Sequence, residues 1–136
     1  QGYCQETNQP VPQTKGEFSR LIYESLALKY RLCVERLERD LLGHKVDVLH
    51  IVGGGSKNVM LNQFTANALR IPVIAGPSEG TVIGNLLMQA MALGAFDSLA
   101  SLRACVAASF PTETFQPEDE EKAWDEAYAR LLALGK

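Results

Sequence analysis

Apolar residues at Phe18, Ile22, Leu26, Tyr30, Cys33, Leu37 and Leu41 recur every three or four positions. That spacing forms one stripe of an α-helix and predicts a helix from about residue 15 to 42. Thr14 and Glu17 make a T-x-x-E capping box at its start, and Gly43 stands at its stop. The period then changes. VDVLHIV, residues 46–52, is a short β-branched run ending at glycine and reads as a buried strand. Met60, Phe64 and Ala68 share one face of a helix over 57–69, with Ser56 as its cap. PVIA, residues 72–75, is a second short strand, closed by Gly76 and Pro77. Two helices follow, over 79–93 with Gly94 just beyond, and over 98–108. Pro117 suits the first position of a last helix, and Glu118, Asp119, Glu120 and Glu121 suit its positive end. Trp124, Tyr128 and Leu131 supply that helix with an apolar stripe, whereas residues 1–14 have no period and read as an irregular lead-in.

The fold class is α/β: helix, strand, helix, strand, helix, then two more helices. Strand–helix–strand with short connections implies a right-handed parallel crossover. Parallel strands want neighbours on both sides, so two of them make an incomplete sheet. The chain has 136 residues, 46% of them hydrophobic, enough for one domain with one core. A net charge of −3 and no basic stripe exclude nucleic acid and anionic membrane as expected partners. No apolar run approaches the ~18 residues that span a bilayer, and QGYCQETNQP has no apolar signal core. The three cysteines, Cys4, Cys33 and Cys105, have no metal or disulfide spacing. Cys33, on the apolar stripe, reads as a buried free thiol, and a cytoplasmic setting is expected.

The candidate chemistry lies in IVGGGSKN, residues 51–58. A phosphate loop of the G-x-x-x-x-G-K-[ST] type fails, because the sixth position from Gly53 is Asn58. A G-x-G-x-x-G dinucleotide fingerprint fails at the same residue, and no acidic residue closes the strand at 72–75. Two readings remain level. In one, Gly53, Gly54 and Gly55 with Ser56 are a tight strand-to-helix turn. In the other, bare backbone at a helix N-terminus lets a phosphate or nucleotide edge come close, and Asn58 offers a donor and an acceptor to a purine. Lys57 could assist a phosphate. His44 and His50 lack a shared metal-ligand spacing, no metal site is expected, and Glu79 reads as a dipole-stabilising helix start.

Three features occur as a set: the triple glycine, the N-x-x-L-x-Q helix that starts at Asn58, and G-P-x-E-x-T-x-x-G-N from Gly76 to Asn85. With the lead-in 3–31, they resemble the C-terminal domain of the FGGY carbohydrate kinases, most closely its L-rhamnulose-phosphorylating members. Those proteins usually carry alanine at the position of Gly80 and aspartate at that of Asn67. The resemblance implies part of an actin-like, ribonuclease-H-like ATPase domain that lacks its opening antiparallel strands. Residues 1–136 would be the C-terminal part of the second, nucleotide-binding domain. Gly54 and Gly55 would approach the adenosine and α-phosphate of ATP, and Asn58 would bond the adenine. Mg²⁺ would sit on the phosphates, and the product would be L-rhamnulose 1-phosphate. The family's catalytic base and most of its sugar site find no match here. A fragment is therefore expected, inactive alone and self-associating through the open edge of strand 46–52. The alternatives are a kinase for xylulose, fuculose, gluconate or glycerol, and a non-catalytic interaction module.

Overall fold

The computed structural model describes residues 2–118 and 121–134, so part of the acidic run, Asp119 and Glu120, lies outside the described residues. A short helix, α1 (Gly2–Glu6), replaces the expected irregular start. Helix α2 (Lys15–Leu37) follows and runs on into a wider turn at Glu38–Leu42, which Gly43 closes at φ 70°. Its capping box forms as the sequence predicts: Glu17 N–H donates to Thr14 Oγ1 at 3.2 Å, and Thr14 N–H to Glu17 Oε2 at 3.1 Å. Gln13 N–H, which donates to Glu17 Oε2 at 2.6 Å, and then Thr14 N–H hold the Glu17 carboxyl below its ordinary range.

Strand β1 (Leu49–Ile51) leads through the glycine turn to α3 (Val59–Leu69), β2 (Val73–Ala75), α4 (Gly80–Ala92) and α5 (Leu99–Ser109). Then come β3 (Glu113–Phe115) and α6 (Glu121–Leu134). β1 and β2 are parallel, Leu49 facing Val73 and Ile51 facing Ala75, as the crossover requires. β3 was not legible in the sequence. It pairs antiparallel with the other edge of β2, and only Phe115 of its three residues points inward. Among the described residues, no strand precedes β1 or covers its outer edge. Pro117 stands ahead of α6 rather than at its first position.

Two small cores hold these pieces. Ala27 and Leu28 of α2, Ala68 of α3, and Trp124 and Tyr128 of α6 form one. Ala66 of α3 with Val73, Ala75 and Phe115 of the sheet forms the other. The stripe predicted for α2 is the side that stays uncovered. Ile22 is 55% and Leu41 77% exposed, and Cys33 is exposed rather than buried. The reason is that α2 is apolar on two sides. Leu28 and Leu32 lie on a second side, roughly opposite the predicted stripe at 3.6 residues per turn. It is this second side that α3 and α6 cover. Helix α4 buries no residue at all, although Val82 and Leu86 are large and apolar.

Polar pins fix α6 to α2 and α3. Asp125 accepts from Arg31 Nη1 at 2.7 Å and pairs with Arg70. The hydrogen bond from Arg31, with the charges of Arg70 and Arg31, keeps the Asp125 carboxyl below its ordinary range. Tyr128 donates its hydroxyl to Glu35 Oε2 at 2.6 Å, and the Arg31 guanidinium lies 4.2 Å from the centre of its ring. Burial, then the bond to Glu35, pushes the Tyr128 phenol up to about 12.

Candidate functional site

The β1–β2 pair ends at the glycine turn, where the chain leaves the sheet. Gly53 N–H donates to Pro77 O at 3.0 Å, and Gly76 N–H to Ile51 O at 2.8 Å. The two strand ends therefore brace each other. Gly80 stands at the start of α4, where an added Cβ would meet Val52 Cβ at 3.3 Å. The missing side chain lets α4 begin against the turn.

The three glycines turn out to have different physical reasons. Gly53 has φ 82° and ψ −167°, a conformation open almost only to glycine. Gly54 and Gly55 have no left-handed φ, and a Cβ on either would meet nothing within 4 Å. Nothing among the described residues requires glycine at those two positions. They open a single 3₁₀ turn, Gly54–Lys57, and both are exposed. Their own N–H groups have no acceptor behind them in the turn, and none is supplied elsewhere among the described residues.

Ser56 and Asn58 take roles different from those expected. The 3₁₀ turn occupies the residues before α3, so the helix starts two positions later than its pattern suggests. Asn58, not Ser56, is the cap: its Oδ1 accepts from Leu61 N–H at 3.1 Å. Its acceptor is thereby engaged, which leaves the carboxamide N–H₂ as the half that could address a ligand. Ser56 is buried and its hydroxyl donates back to Gly53 O at 2.7 Å, so it tightens the turn. Lys57 is exposed beside it.

Asn62 was passed over in the sequence, being an unmarked position inside the N-x-x-L-x-Q pattern. It is wholly buried, and its Nδ2 donates to Ser56 O at 2.8 Å. Its Oδ1 has no partner. Asn67, 5% exposed, accepts through Oδ1 from Gln63 Nε2 at 2.8 Å and from Glu118 N–H at 3.1 Å. Asparagine thus does there what an acceptor must do to hold the chain after β3. A groove of about 410 Å³ runs between α2, the free side of β1 and the turn, with Tyr30, Cys33, Leu49, Ile51, Gly55 and Asn62 on its walls. His50 is exposed on the edge strand β1 and also borders this groove. No group of three or more His, Cys, Asp or Glu side chains among the described residues is placed to hold a metal. No helix among them is long and apolar enough to cross a membrane.

An exposed glycine pair with open space above it, at the end of parallel strands, suits the approach of a ligand to main chain. Comparison with known proteins bears on the fold and the family of the chain. Rhamnulokinase from Bacteroides thetaiotaomicron is 51% identical over 126 residues, covering 93% of this chain and 26% of that protein. Rhamnulokinase from Enterococcus faecalis is 48% identical over 118 residues, covering 85% of this chain and 24% of that protein. The chain thus spans about a quarter of the length of the curated relatives it matches. Among solved structures, xylulose kinase from Rhodospirillum rubrum superposes with a TM-score of 0.68 at 27% identity, over 92% of this chain and 25% of that one. Ligand-bound xylulose kinase from Lactobacillus acidophilus, at 15% identity, shares the fold with a TM-score of 0.70, over 91% of this chain and 26% of that one. The architecture is accordingly part of the actin-like, ribonuclease-H-like α/β fold of these kinases. Residues 4–93 match the family described as the FGGY family of carbohydrate kinases, C-terminal domain, and the chain belongs to that family.

Proposed function

We propose that this chain forms the adenosine-facing part of an ATP-dependent sugar kinase, within the second of its two domains. The observation that carries the reading is the open space over Gly54 and Gly55. A turn built only for its own geometry needs glycine at Gly53 and not at the next two positions. Bare backbone there admits the ribose and α-phosphate, and the unpaired N–H groups of the turn face an anion favourably. Asn58 donates from its N–H₂ group to a ring nitrogen of the adenine while its Oδ1 remains the cap of α3. Lys57 adds positive charge at the rim.

The sugar we propose is L-rhamnulose, phosphorylated at its 1-hydroxyl. Relatives at 39–51% identity bear the name rhamnulokinase, against 27% for the xylulose kinase of Rhodospirillum rubrum. Phosphoryl transfer of this kind works through positioning and neutralisation of charge, with Mg²⁺ carried on the phosphates. Among the described residues no group of three or more His, Cys, Asp or Glu side chains is placed to hold that ion. The groove beside β1 and the bare apolar faces of α2 and α4 are where the rest of such an enzyme would pack. Until they are covered, the open edge of β1 favours self-association.

Titration of ADP into the ¹⁵N-labelled chain tests the nucleotide part. Amide shifts centred on residues 53–58 support it, and their absence at millimolar ADP rejects it. The sugar is tested in the full-length kinase that carries this chain, by ADP release with L-rhamnulose against D-xylulose. A preference for xylulose overturns the assignment.

A further inference from the structure

The glycine turn is held from beneath by one side chain, and that side chain is Asn62. Three observations set it apart. It is wholly buried on α3, which otherwise buries mostly small or apolar groups on that side. Its Nδ2 gives a 2.8 Å hydrogen bond to the carbonyl of Ser56, inside the 3₁₀ turn. Its Oδ1 is buried without a partner. The orientation of the carboxamide is dictated chemically: the Ser56 carbonyl is an acceptor, so only the N–H₂ end can face it. The orphan is therefore the oxygen. A buried carbonyl without a donor is unfavourable, and a leucine of similar shape would avoid that cost. What leucine could not supply is the bond to Ser56.

We infer that Asn62 is a positioning residue for nucleotide binding, setting the height of the Gly54–Gly55 backbone by tethering Ser56 to α3. The consequence for affinity rests on the nucleotide reading above, whereas the tether itself does not. Without Asn62 the Ser56 carbonyl has no buried partner, and the turn relaxes outward until water satisfies it. That motion moves the exposed glycine amides away from where a ligand would meet them. Helix α3 keeps its own cap, because the Asn58 bond to Leu61 is separate.

The test compares Asn62→Leu with Thr65→Val in the 136-residue chain. Thr65 is also wholly buried on α3, but its hydroxyl donates within the helix to Leu61 O. Amide exchange is read at Ser56 and Asn58, whose N–H groups bond inside the turn to Gly53 O and Gly55 O. N62L is expected to speed exchange at both at least tenfold while β2 and the middle of α3 keep their protection. T65V is expected to leave both rates alone. ADP affinity, followed by the same amides, is expected to fall at least tenfold in N62L and to be unchanged in T65V. Unchanged turn exchange in N62L overturns the inference. So does acceleration spread evenly through α3, which marks a purely structural role. If N62L does not fold, Asn62→Ala repeats the comparison, since it fits the site without a clash and has no donor for Ser56. A wild-type chain that shows no response to ADP removes the nucleotide reading, and the exchange comparison still decides the tether.

Discussion

Alanine at each glycine of the turn separates a conformational need from a ligand's need. At Gly53, φ 82° and ψ −167° force an alanine into a region costing ~1–3 kcal/mol. At Gly54 and Gly55 the new methyl meets nothing within 4 Å and the backbone needs no left-handed φ. There the substitution restricts only the unfolded chain and stabilises by ~0.4–1 kcal/mol. For a domain of this size that raises Tm by roughly 1–5 °C. The same methyl stands where the nucleotide is proposed to touch main chain, so ADP affinity falls at least tenfold, ~1.4 kcal/mol. Thermal melts followed by circular dichroism give the first quantity, and ADP titration followed by amide shifts gives the second. The expected signature is opposite signs: Gly54→Ala and Gly55→Ala melt higher and bind worse, whereas Gly53→Ala melts lower. Lower melting at 54 or 55 would show that the turn itself needs those glycines. Higher melting with full ADP affinity would show that no ligand comes near them.

Three further outcomes follow from the packing. Trp124→Ala removes a buried ring whose centre lies 5.5 Å from that of Phe64, and should cost ~3–5 kcal/mol in urea unfolding; a loss below ~1 kcal/mol would place α6 outside the core. Tyr128 has its folded pKa raised to about 12 from 10.0, so its contribution is fully present below pH 10 and is lost as pH rises through 12. Stability should therefore fall across that window by at most ~1.4 kcal/mol per pH unit, and Tyr128→Phe should remove that part of the slope; an unchanged slope in the variant refutes the assignment. Gly80→Ala places a methyl 3.3 Å from Val52 Cβ, a contact that only a small shift of the backbone of α4 or of the turn can relieve. A net gain below ~1 kcal/mol is expected, and a loss in chemical denaturation would mean that α4 cannot move away from the turn.

The order of the main elements, the capping box at Thr14, the stop at Gly43 and the parallel crossover follow from local chemistry, so they were legible along the chain. Apolar period, cap residues and glycine stops act within a few residues of where they stand. The glycine turn proposed as the site was legible for the same reason, as three adjacent glycines are visible without a fold. Other features depend on neighbours distant in sequence. Helix α2 offers two apolar sides, and only the placement of α3 and α6 chooses Leu28 over Ile22. Strand β3 exists because β2 has a free edge, not because ETF is a strong strand. The cap passed from Ser56 to Asn58 because a 3₁₀ turn was inserted ahead of α3. Asn62 looked like one polar residue among several until burial set it beneath Ser56. Periodicity records which residues avoid water; it carries no information about which partner excludes the water, and that is settled by packing across the chain.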